Sequence, residues 1–291
     1  MYRLVLTALM SVVVLLLTCV VNADDPYVQH ENIVYGDVHG IALVMDVFVP
    51  TGTKNGHAIV DVASGAWHSD RSKIRDHKRA QVYDLMCGQG FTVFAVRPGS
   101  ITKFSGLEML KHVNRGIRFI KEHSTEYDIA PEELGLMGAS AGGHLACLAA
   151  VTADDTTRVK ATAVFFPPTD FLDYGGKKLD VSSEGRIGGL ARVLAYGKRD
   201  VDQSPEEITK AFVSISPARL VTKAAPPFLL IHGDADPAVP LQQSQVMLKA
   251  LQEKDVPAEL IVKPGGAHPW PTIHEEVAVM AKWFHKKLVD E

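Results

Sequence analysis

The stretch GLMGASAGGHLACLAA, residues 135–150, decides how the rest of the chain is read. An apolar run ends in Gly138-x-Ser140-x-Gly142, and an alanine-leucine run with helical character follows at once. A serine on a sharp strand-to-helix turn, flanked by residues too small to clash with neighbouring strands, is the pattern of a nucleophile elbow. Such a turn aims the hydroxyl into open space. The N–H of Ala141 and the positive end of the following helix face the same volume, where negative charge develops during acyl transfer. The competing reading is a small residue filling a tight turn. A serine at its ordinary acidity is a weak nucleophile, so the choice depends on whether a base, an acid and an oxyanion site exist elsewhere.

Working outward, short apolar runs alternate with helical patterns. IALVMDVFVP pairs with ENIVYGDV through His39-Gly40 as an early hairpin. HAIVDVAS, FTVFAVRPGS, ELGLMGAS, KATAVFFPP, PFLLIHGD and AELIVKPGG read as further strands. Helical periodicity falls at about residues 70–87, 106–123, 241–254 and 274–289. Apolar strands alternating with helices specify an α/β fold, with a mostly parallel sheet covered on both faces. Residues 173–216, rich in Gly, Lys and Asp, interrupt the alternation and are too long for an ordinary connection. They are expected to be a lid-like insertion over the strand ends that shapes a pocket.

Of 12 histidines, His268 in KPGGAHPW follows the last strand in a Gly-rich loop able to reach over the sheet edge, and it is the candidate base. His144, one turn after the elbow, is expected to pack behind it. His232 is expected beside the acid loop, and His68 near the loop after the third strand, within reach of substrate. In IHGDADPAVP, Asp236 is the candidate acid, with Asp234 holding the loop through backbone hydrogen bonds and Asp170 as second choice. A metal site at His232, Asp234 and Asp236 is a weaker reading, since the same residues describe a tight turn. Ser64-Gly65-Ala66-Trp67 offers amides for an oxyanion, with Gly65, Ala66 and Ala141 as candidate donors. Trp67, His68 and Trp270 are candidate substrate contacts, and Phe104 could extend an aromatic wall.

The chain has 291 residues, 46% apolar, with a formal net charge of −4, which suits one large domain without metal or disulfide support. The basic cluster RSKIRDHKR reads as a solvated helix face, and nothing points to nucleic acid. Residues 1–23 combine one Arg, an apolar stretch and Val21-Asn22-Ala23, so cleavage of a signal peptide after Ala23 is expected, leaving residues 24–291 as the mature domain. An uncleaved anchor is the alternative, and lipidation at Cys19 a weaker one. Cleavage implies a secreted or periplasmic protein without stable membrane association. Cys87 and Cys147 lie in helical patterns and read as small apolar residues, not a disulfide pair.

GASAGGHLA, HGDADPAVP and GGAHPW, in this order, resemble α/β-hydrolase esterases, nearest the secreted carbohydrate-esterase and feruloyl-esterase-like branch close to prolyl-oligopeptidase-like hydrolases. The likeness runs from about residue 30 to the C-terminus and is weakest in the insertion. It implies Ser140 as nucleophile, Asp236 as acid and His268 as base, in the chain order of that fold. It also implies hydrolysis of carboxylic esters of small-molecule or oligosaccharide substrates through an acyl-enzyme, with no cofactor and no metal. The segment ASGAW resembles the family's His-Gly-Gly-x-Trp oxyanion segment, with Ala63 and Ser64 in place of its His and first Gly. Arg97 in FAVRPGS corresponds to a Tyr-Arg loop and is expected to be structural. Exopeptidase-like hydrolysis and a non-catalytic scaffold are the competing functions. The sequence leaves the oligomeric state open.

Overall fold

A computed structural model describes residues 25–179, 185–197 and 202–291. The expected signal peptide lies outside the described residues, as does part of the insertion. In chain order the elements are β1 (Tyr27–Val38), β2 (Ile41–Pro50), β3 (Ala58–Val62), α1 (Arg71–Arg79), α2 (Val82–Gly88), β4 (Thr92–Arg97), α3 (Gly106–Glu122) and α4 (Ser124–Tyr127). They continue with β5 (Leu134–Ala139), α5 (Ala141–Val151), β6 (Ala161–Phe165), α6 (Arg186–Tyr196), α7 (Pro205–Ser214), β7 (Phe228–Gly233), α8 (Gln242–Gln252), β8 (Ala258–Lys263) and α9 (Ile273–His285).

The sheet order is β1-β2-β4-β3-β5-β6-β7-β8. The β1–β2 hairpin is antiparallel and joins β4 antiparallel, while β4 to β8 run parallel. This is the α/β-hydrolase architecture the sequence predicts. His39 at φ 53° and Gly40 at φ 72° make the hairpin turn, a left-handed pair that matches strand twist. Alternation along the strands feeds two apolar layers. Val60, Val62, Leu134 and Leu136 face α3, α5, α6, α7 and α8, whereas Ile59 and Met137 face α1, α2 and α9. Helix α5 is buried on all sides, because it lies between the sheet, α3 and the turn at Pro217–Arg219. Cys87 and Cys147 are free and buried, as their patterns predicted.

From β3 the chain moves to β4 on one side and then to β5 on the other. The loops after β3 and β5 therefore diverge, and the crevice they leave at the carboxyl ends of the strands is where α/β sheets bind ligands.

Two local expectations need correction. The single helix over 70–87 is broken at Gln81, φ 58°. Buried Asp61 on β3 explains the break: His77 Nδ1 at 2.7 Å and the Tyr83 hydroxyl at 3.0 Å share its Oδ2. Residues six apart do not share a face of one continuous helix, so two helices are needed. Nor is the basic cluster simply solvated. Arg71 pairs with fully buried Asp46 at 2.7 Å, and Arg97 lies 3.6 Å from the same carboxylate, the structural role expected of it.

The insertion begins over the strand ends, where the Tyr174 hydroxyl donates to Ala238 O at 3.3 Å. It then becomes a helix pair, α6 and α7, which buries Ala191, Leu194, Ile208 and Phe212 in the layer beside α3 and α5. Among the described residues no helix is long and apolar enough to cross a membrane.

Among the described residues Asp61 Oδ1 is buried without a partner, so the carboxylate depends on the two donors at Oδ2. Tyr83→Phe is therefore expected to lower stability by about 1–2 kcal/mol, read as a reduced Tm in thermal unfolding. An unchanged Tm would show that the hydroxyl carries none of the load.

Candidate active site

Ser140 sits between β5 and α5 at φ 54°, ψ −120°, a left-handed backbone that costs a non-glycine residue of order 1–3 kcal/mol. Neighbouring chain holds it there. Its N–H donates to Phe165 O on β6 at 2.9 Å, and the Gly142 N–H donates to Ser64 O beyond β3 at 2.9 Å. The elbow glycines are required by contact. A Cβ on Gly142 would stand 2.1 Å from Val62 O of β3, and one on Gly138 would stand 2.5 Å from the backbone of Gly142. Only the first is a clash with a strand; the second is with the helix's own first turn.

The structure brings the three distant candidates together. His268 Nε2 is 2.9 Å from Ser140 Oγ, and His268 Nδ1 is 2.6 Å from Asp236 Oδ2. Asp236 Oδ1 accepts the N–H groups of Ala238 at 2.8 Å and Val239 at 2.9 Å. Burial raises the Asp236 pKa, but hydrogen bonds from His232, His268 and these two amides outweigh it and hold the carboxyl far below the usual carboxylate range. An ionised Asp236 can only accept, so Nδ1 of His268 carries a proton and Nε2 is free to receive the one on Ser140. The acid and base loops are also joined directly: Ala235 N–H to Gly266 O at 3.0 Å, and Gly265 N–H to Asp234 Oδ1 at 2.6 Å. Asp234 thus holds the loop, and Asp170 instead pairs with Arg219 at 2.8 Å. His232 Nδ1 meets Ser244 Oγ of α8 at 2.7 Å and its Nε2 meets Val239 O of the acid loop at 2.9 Å, so both ring nitrogens are engaged by the protein.

Of the oxyanion candidates, Gly65 must be corrected. Its N–H already donates to His68 O at 3.0 Å within a tight turn. Ala66 and Ala141 have no backbone acceptor among the described residues, and Ala66 and Trp67 both adopt positive φ, 47° and 58°. The substrate-contact candidates also change. Trp67 is buried and its indole N–H donates to His144 Nδ1 at 3.0 Å. Trp270 is buried with its N–H on Glu276 at 2.8 Å, and Lys263 Nζ holds the other oxygen of that carboxylate at 2.7 Å, so Trp270 anchors the His268 loop. Phe104 is buried against His112. All three rings belong to the core, and only His68 keeps an exposed side chain.

Two residues have larger roles than the sequence indicated: Phe166, which carried no signal, and His144, which packs behind the elbow as expected but does more than fill space. Phe166, at φ 36°, lays its ring 4.3 Å from the His268 ring. His144 ties three segments together: Nδ1 accepts from Trp67, Nε2 meets Ile215 O of the insertion at 2.8 Å, and its ring packs on Phe171. An indole N–H only donates and a carbonyl only accepts, which fixes His144 as the neutral Nε2–H tautomer. Complete burial agrees, pushing its pKa from 6.5 down to about 4. Position 63, filled by a histidine in the resembled segment, is here a methyl group buried in the apolar layer. The tie from Trp67 to His144 and the Gly65–His68 turn together hold the strained loop.

His144→Phe strands a buried indole N–H and the Ile215 carbonyl, so a loss of about 2–4 kcal/mol is expected, with His144→Gln recovering part of it. Between pH 6.5 and about 4 the unfolded chain binds a proton at this residue and the folded chain does not. Wild-type stability should therefore fall through that window as pH drops, by up to about 1.4 kcal/mol per unit, more steeply than in His144→Gln. Denaturant titrations across pH measure both, and parallel curves would refute the tautomer assignment.

Known proteins agree with this architecture. The "Probable carboxylic ester hydrolase LipM" of Mycobacterium tuberculosis is 26% identical over 245 residues, covering 78% of this chain and 52% of that protein. This chain thus spans about half the length of that relative. A solved "truncated form of carbohydrate esterase from gut microbiota" superposes with TM-score 0.76 at 24% identity, over 91% of this chain and 98% of that one. The butyrate-bound esterase 2 of Thermogutta terrifontis superposes with TM-score 0.68 at 21% identity, over 88% and 92%. The BD-FAE family model matches residues 45–251. The chain, with its α/β-hydrolase fold, belongs to the BD-FAE family.

Proposed function

We propose that this protein is an exported serine esterase that cleaves acyl groups from carbohydrates through an acyl-enzyme. The carrying observation is the continuous contact from Ser140 Oγ to His268 Nε2, 2.9 Å, and from His268 Nδ1 to Asp236, 2.6 Å. In this reading His268 takes the Ser140 proton as Oγ attacks the ester carbonyl, and the imidazolium is stabilised by ionised Asp236. The amides of Ala141 and Ala66 receive the oxyanion, assisted by the N-terminus of α5. Collapse of the tetrahedral species expels the alcohol, protonated by His268. Water, activated by the same imidazole, then attacks the acyl-Ser140 ester and releases the acid. Family membership and the names of the relatives support ester hydrolysis. The likeness to a carbohydrate esterase supports an acylated glycan, and the butyrate held by another neighbour supports a short acyl group. The apolar N-terminal segment ending in Val21-Asn22-Ala23 supports export.

Labelling with a fluorophosphonate probe tests the nucleophile: the wild type takes label and Ser140→Ala takes none. A correctly folded wild type that stays unlabelled would overturn the reading. Asp236→Asn is expected to lower kcat on 4-nitrophenyl acetate by about 10⁴-fold, because an amide no longer enforces the tautomer. For export, N-terminal sequencing of protein recovered outside the cytoplasm should begin at Asp24. A chain that still starts at Met1 in the membrane fraction would refute cleavage.

A further inference from the structure

The carboxyl edge of the sheet carries a second feature. Residues 98–105 leave β4 at that edge and lie against the oxyanion loop, with Ile101 N–H on Trp67 O at 2.8 Å and Ser69 N–H on Ser100 Oγ at 3.0 Å. Helix α3 starts directly behind them. The His39–Gly40 turn reaches the same edge, because β2 is antiparallel to β4 with Val44 opposite Arg97. Between the turn, α3 and α6 runs a groove made of two cavities of about 360 and 370 Å³ that share Glu108 and Lys111.

One end of the groove is lined by Tyr196 and Gln203, the other by His39, Arg115 and Arg118. Lys111, Arg115 and Arg118 stand at i, i+4 and i+7, on one face of α3. Among the described residues none of the three has a carboxylate within 4 Å, although the chain as a whole carries a net charge of −4. Arg115 is preset: it donates to Asp37 O at 2.7 Å and lies over Gly36, where a Cβ would come within 2.5 Å of its Cδ. Glu108, the acid in the lining, is turned to Ser105, whose N–H and hydroxyl donate to its Oε2 at 2.7 and 2.9 Å. At the far end Gln203 lines the groove, and among the described residues its buried Oε1 has no hydrogen-bond partner.

We infer that this groove binds the carboxylate-bearing sugars of an extended acidic glycan whose ester lies at Ser140. The inference rests on the esterase reading above and narrows its substrate to uronic-acid-containing polymers. Guanidinium and ammonium groups recognise carboxylates by charge-assisted hydrogen bonds, and three on one helix face match a chain that carries repeated acids. Tyr196 and Gln203 line the other end, where the ring of a neighbouring sugar would lie.

The test uses acetylated glucuronoxylan and the same polymer with its carboxyl groups reduced to alcohols. Wild-type kcat/KM is expected to be about fivefold higher on the acidic polymer at low salt, and the gap should close at about 0.5 M salt. The double variant Lys111→Gln/Arg118→Gln should lose that preference while keeping its rate on 4-nitrophenyl acetate and on the reduced polymer. Equal rates on both polymers, or a variant that slows on both alike, would overturn the inference. Affinity electrophoresis of Ser140→Ala in gels of the two polymers reads the groove without turnover. Retardation by the acidic polymer alone supports it, and equal migration refutes it even if no ester is cleaved.

Discussion

The backbone of Ser140 is held in a left-handed conformation by strands on either side of it, and the site cannot form without that constraint. The Phe165 carbonyl on β6 takes the Ser140 amide, and the Ser64 carbonyl past β3 takes that of Gly142. Three parallel strands must therefore end at the same height, with no side chain at position 142. The sheet register is thus a condition of the chemistry as well as of the fold. The local strain is offset by interactions spread over three strands, a common arrangement at functional sites.

Polar groups buried around the triad are nearly all committed. Asp236 is surrounded by donors, so it stays ionised and fixes the imidazole it touches. His144 is neutral for the opposite reason: it is sealed from water with one donor and one acceptor already matched. Two histidines of the same chain, one able to take a proton and one unable to, differ only in what surrounds them. The first meets a carboxylate and a hydroxyl, the second an indole and a carbonyl.

The sequence made the strand order of the chemistry legible because each signal was local. Gly138-x-Ser140-x-Gly142 encodes a turn that only small residues allow, and short continuous apolar runs mark the strands on either side. Asp236 and His268 were legible from their places just after strands. What stayed hidden depends on contacts between distant segments. Trp67 and His144 are 77 residues apart, and nothing near Trp67 indicates that its indole points inward. The break at Gln81 reflects an aspartate on β3, not a helix-breaking residue. Gly65 looked like an amide donor, yet its own turn directs that N–H to His68 O. Phe166 has the composition of a strand end, and its seat on the imidazole follows only from the sheet.

The direct bonds between the acid and base loops divide the triad mechanically. Asp236 and His268 ride on adjacent strands, β7 and β8, whose loops are stitched by Ala235 to Gly266 and by Gly265 to Asp234. Ser140 belongs to β5, two strands away from β7. Thermal shear of the sheet therefore leaves the carboxylate–imidazole spacing almost constant and appears as variation in the gap between imidazole and hydroxyl. That gap is also the coordinate along which the proposed proton transfer from Ser140 to His268 would run.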